Sequence, residues 1–180
     1  LLYYTAELPG NPSGSLLGIH FTPFMFLLIP VYALYQDAVI LLVLRPIIIA
    51  LGLVPLYLVA KQHGLSQKLT VLVSLIYLLY LPVLFPFYNF DLVAFLPPFF
   101  LAALYFMDNG GYVKSYVAVI LALMVNEFVP FIVLAMSLYI VINNRQKIRK
   151  SIRERKPSPD LVFSIILLVT ALLWYRAAVH

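Results

Sequence analysis

Asn89-Phe90-Asp91 and Asn126-Glu127 place carboxylates within stretches that are otherwise almost pure hydrocarbon. Hydrophobic residues make up 64% of the chain and charged residues 11%, with a mean hydropathy of +1.01. A charge at mid-bilayer costs about 2.5–3.5 kcal/mol on insertion scales, so an acid kept there marks a site by default. Asp91 reads either as such a site or as the cap of a helix that begins after a loop. Glu127 interrupts some thirty apolar residues and reads as a functional group or one half of an ion pair. Arg45 has three roles open to it: counter-ion of Glu127 or Asp37, structural anchor, or contact for a lipid phosphate. His20 is either a hydrogen-bonded loop residue or part of the site. The chain contains no HExxH, P-loop, dinucleotide fingerprint or serine nucleophile elbow.

The elements that must position these groups are membrane helices. A soluble domain carries about a quarter charged residues, more than twice the share here. The apolar runs are long and continuous, unlike the alternating segments of about ten residues that make an outer-membrane barrel. The expected class is all-α, a polytopic helical membrane protein. No signal-peptide pattern and no initiator Met open the chain, which predicts a piece of a longer polytopic protein. Cysteine is absent, so disulfides and thiolate metal sites are excluded. The net charge of +5 does not indicate nucleic acid, because seven of the twelve Lys and Arg fall between Arg145 and Lys156. There they set topology, with anionic-lipid contact as a side effect.

Turn formers around Pro9-Gly10-Asn11-Pro12 predict an extracytoplasmic loop over 1–20. Residues 21–35 are apolar but short and carry Pro23 and Pro30, which suits a re-entrant or interfacial helix. Spans are expected over 38–60, 69–87 and 92–107, then a short helical hairpin of 112–125 and 128–142. A basic cytoplasmic loop over 143–160 and a final transmembrane helix over 161–180 complete the bundle. Within 92–107, Pro97-Pro98 are expected to kink the helix and strip the Val93 and Ala94 carbonyls of their partners.

Parity orders these elements. The loops carrying Lys61/Lys68 and the basic run 143–159 both belong in the cytoplasm, so an even number of crossings separates them. A single helix over 112–142 would make that number odd, and the hairpin turning at Asn126-Glu127 restores it. Asp37, Asp91 and Glu127 then lie toward the extracytoplasmic side, with His20 beside them if 21–35 does not cross. Arg45 lies about 11 Å below the same face at 1.5 Å per residue.

His20-Phe21-Thr22-Pro23, Leu44-Arg45-Pro46, Gly52, the run Leu56–Lys61, Asn89-Phe90-Asp91 and Asn126-Glu127 occur in an order that resembles a known group. It is the archaeal and bacterial predicted-membrane-protein family that is similar to GT-C glycosyltransferases, and the resemblance covers roughly 15–145. It implies a GT-C-like bundle in the cell membrane that takes a sugar from a polyprenyl-phosphate donor at the extracytoplasmic face. On that analogy Asp91 and Glu127 are the candidate catalytic acids or ligands of a divalent metal. Arg45, His20, Asn89 and Asn126 would bind the lipid phosphate or substrate, with Arg45 as its clamp. Where the family usually has a basic-Glu-acidic triplet, this chain reads Asn126-Glu127-Phe128. Two other classes fit the same composition: a transporter or lipid flippase with broken helices along its path, and a non-catalytic subunit whose acids are only ion-paired.

Overall fold

The computed structural model describes residues 20–79 and 91–179. Loop 1–19, Asn89 and the second half of the expected span 69–87 lie outside the described residues. Those described form helices and no strand: α1 (Met25–Leu34), α2 (Ala38–Leu51), α3 (Leu53–Gln62), α4 (Gln67–Leu79), a 3-10 turn (Leu92–Phe95), α5 (Leu96–Asp108), α6 (Tyr112–Leu123), α7 (Val129–Asn143), α8 (Arg145–Arg153) and α9 (Pro159–Val179). The chain divides into two compact units, one ending at Asn126 and the other beginning at Glu127.

In the first unit α1 is ten residues long with Pro30 inside it, about 15 Å and half of a hydrocarbon core. Asp37 stops the short run and caps α2, its Oδ1 accepting from Val39 N at 2.9 Å. α2 and α3 are joined through Gly52 alone, so Ala38–Gln62 is one apolar helical stretch of 25 residues. Its most apolar window is only 17% buried, as expected of a helix solvated by lipid rather than of a soluble core.

Gly52 is required by a close approach. A Cβ there would collide with the Tyr77 hydroxyl of α4 and stand 3.1 Å from Pro98 Cγ of α5. The same hydroxyl donates to the Ile49 carbonyl at 2.9 Å. α5 and α6 turn back on each other through Asn109-Gly110-Gly111, with Gly110 at φ +72°. The face of α6 that is buried carries Ser115, Ala118 and Ala122, and Ser115 Oγ donates to the Ala103 carbonyl at 2.8 Å. Small residues and interhelical hydrogen bonds hold helices together where lipid removes the hydrophobic drive.

Pro97-Pro98 do not lie in a helix interior, where the expected span over 92–107 had them. They sit in the first turn of α5, where the missing N–H groups would lack helical partners in any case. The Val93 carbonyl keeps a partner in Leu96 N. α6 ends at Leu123 and α7 starts at Val129, so Asn126-Glu127 fall between two helices.

In the second unit α7 and α9 pack side by side, antiparallel: Ser137 Oγ donates to the Ser164 carbonyl at 2.8 Å and the Phe131 and Tyr175 rings meet edge-on at 5.4 Å. Pro159–Ala178 is the second stretch long enough to cross a bilayer, again only 22% buried. The expected basic loop 143–160 is in large part a helix. α8 follows α7 after Asn144 alone, because Ile148 and Ser151 give the charged run a face to bury.

Candidate functional site

Three interruptions of the first unit converge at one end of its bundle. The segment His20-Phe21-Thr22 is tied to the end of α6 by Phe24 N donating to the Met124 carbonyl at 2.9 Å. Asp91 opens the 3-10 turn, its Oδ1 accepting from Val93 N at 2.9 Å. Val125 and Asn126 follow the end of α6. Together with Met25 they line an open cleft of about 390 Å³ bounded by His20, Thr22, Asp91, Leu92, Val93 and Asn126. Backbone leaving a helix has polar groups to satisfy, which membranes tolerate only against protein or water, so coincident breaks make a polar recess.

The floor of the recess is apolar. Phe24, Leu28, Leu92, Phe95 and Val125 are buried in one cluster, with Leu41, Leu44 and Ile48 of α2 packed against it. The Phe24 ring lies 5.5 Å from that of Phe95 and 5.6 Å from that of Phe99. Arg45 projects from α2 within this apolar surround and is only 3% exposed. The Asp91 carboxylate is close enough to act electrostatically on it.

The expected site residues therefore fall as follows. His20, Asp91 and Asn126 share the cleft, and Arg45 is buried within the electrostatic reach of Asp91. Asp91 caps the 3-10 turn and also borders the cleft. Asp37 is committed to α2 as its cap. Glu127 begins the second unit. Among the described residues no group of three or more His, Asp or Glu could hold a metal ion.

A second polar cluster, unforeseen from the sequence, lies at the opposite end of the first unit. His63 Nε2 stands 3.3 Å from Asp108 Oδ2, and Asn109 Nδ2 donates to Gln62 Oε1 at 3.0 Å. These contacts join the carboxyl ends of α3 and α5. Two polar interruptions, Lys61–Gly64 and Asp108–Gly111, were the available signal, but nothing local says that they meet.

Apolar helices with lipid-exposed faces, close-packed through small residues and opened at one end by a polar recess, define a helical membrane protein. The chain belongs to the family described as "Predicted membrane protein (DUF2079)", whose family model matches residues 2–180. No curated protein and no solved structure matches it.

Proposed function

We propose that the protein is a multi-pass membrane protein that binds a polyprenyl-phosphate-linked sugar in the His20–Asp91–Asn126 cleft and transfers the sugar at the extracytoplasmic face. The observation that carries the reading is Arg45: a guanidinium buried in apolar surroundings beside the acid of an open polar cleft. Guanidinium forks suit phosphate, and a desolvated one binds it more strongly than one in water. The apolar floor suits the first units of a lipid chain. Asp91 would orient or deprotonate an acceptor hydroxyl.

Orientation follows from charge. Lys61 and Lys68 flank the turn between α3 and α4, at the end where His63 meets Asp108, and basic loops stay in the cytoplasm. The cleft end then faces out. The test is binding of a polyprenyl phosphate to the purified protein in detergent, read by native mass spectrometry, with release of free polyprenyl phosphate from a sugar-charged donor as the assay of turnover. Arg45→Gln removes one charge-assisted bond and should weaken binding about tenfold or more. Absence of binding by the native protein refutes the reading.

A second reading rests on the pull of Asp91 on Arg45. If the two serve only each other, the cleft is structural and the protein is a non-catalytic subunit. Arg45→Gln and Asp91→Asn would then each destabilise the fold, and the double variant would be milder than their sum.

A further inference from the structure

α8 carries its charge in an ordered pattern. Arg145, Arg149 and Arg153 recur every four residues, which sets three guanidiniums in one row along the helix. All three are exposed, and exposed Ile152 borders the row. Ile148 and Ser151 are buried on the other side. The acid of this segment, Glu154, lies away from the row and meets Lys150 at 3.9 Å. No side-chain hydrogen bond or ion pair engages the Arg145, Arg149 or Arg153 guanidinium among the described residues. The helix then ends in a left-handed cap: Lys156 N donates to the Ser151 carbonyl at 3.1 Å and Arg155 N to that of Ile152 at 3.2 Å. Arg155 holds φ at +54°, a position where glycine is the usual residue. The Ser151 hydroxyl closes the ring on the Lys156 carbonyl. Arg155 and Lys156 are thereby fixed, exposed, just past the row.

This helix joins the carboxyl end of α7 to the amino end of α9, an apolar helix long enough to cross a bilayer. Its cations therefore stand at the level where the head groups of that bilayer lie. We propose that the Arg145–Arg149–Arg153 row, extended by Arg155 and Lys156, is a binding site for anionic phospholipid head groups, the forks taking phosphate oxygens and Ile152 entering the acyl boundary. A topology signal needs only positive charge near a helix end. It needs neither arginines in register nor a cap that holds an arginine where glycine fits better.

The test uses the full chain in phosphatidylcholine bilayers containing a small share of spin-labelled phosphatidylglycerol or phosphatidylcholine. Native protein should prefer the anionic lipid by about fivefold or more, roughly what one basic residue contributes at an anionic surface. R145Q/R149Q/R153Q should bring the preference near parity, whereas K147Q/K150Q should keep most of it. R155G guards against misfolding, because glycine suits the cap, and should lower the preference measurably. No preference in the native protein overturns the proposal, as does an unchanged preference in both arginine variants. Equal losses in the lysine and arginine variants would reduce the site to diffuse charge and also overturn it. Tight binding of polyglutamate in neutral bilayers, unaffected by phosphatidylglycerol, would overturn it in favour of an acidic protein partner.

Discussion

Gly52→Ala separates local preference from tertiary packing. Gly52 has φ −62° and ψ −19°, a helical conformation open to alanine, and alanine is favoured over glycine in a helix by about 1 kcal/mol. Local propensity alone predicts stabilisation. The structure predicts the reverse, because the new Cβ overlaps the Tyr77 hydroxyl and comes within 3.1 Å of Pro98 Cγ. Overpacking costs about 1–3 kcal/mol, and a displaced Tyr77 gives up its bond to Ile49, worth about 1 kcal/mol. After the propensity gain, the net loss is about 1–3 kcal/mol. Tyr77→Phe removes the obstructing oxygen, so Gly52→Ala should be nearly neutral in that background. The four proteins of the cycle would be compared by unfolding in detergent, with a coupling of at least about 1 kcal/mol expected. Equal effects of Gly52→Ala with Tyr or Phe at 77, or stabilisation of the native protein, would refute the reasoning.

Because the chain has no cysteine, Lys68→Cys and Lys147→Cys should label with a membrane-impermeant thiol reagent from the cytoplasmic side and Asp37→Cys from the opposite side; labelling of all three from one side refutes this topology. Pro97→Ala should change stability by no more than about 1 kcal/mol, since half-buried Pro97 sits in a first turn where its missing N–H costs no helical bond; a larger loss in thermal unfolding would mean that its ring packs in a way that helix position does not explain. Arg155→Gly should stabilise the second unit by about 1 kcal/mol by relieving a left-handed arginine, even as it weakens anionic-lipid retention.

Much was legible in the sequence because helices in lipid announce themselves through local signals. The shortness of the 21–35 segment, the stop at Gln36-Asp37, the break at Asn126-Glu127 and the start of the last helix all follow from apolar run length and breaker residues, which act within a few positions. Arg45, Asp91 and Asn126 stood out because polar groups are costly in hydrocarbon wherever they end up. Pairing between distant segments leaves no such trace. That His20, Asp91 and Asn126 border one cleft while His63 meets Asp108 at the other end depends on which helix ends come together. Pro97-Pro98 show the same limit: the sequence reports two missing N–H groups, but only the placement of the first turn shows that the Val93 carbonyl keeps a partner in Leu96 N. Gly52 reads locally as a weak helix residue and becomes a contact point once Tyr77 and Pro98 arrive beside it. In the basic run the charges were visible at once. Helical order over Arg145–Arg153 follows from burying Ile148 and Ser151, and burial is a property of the folded chain, since the packing that removes a side chain from its surroundings is supplied by residues remote in sequence.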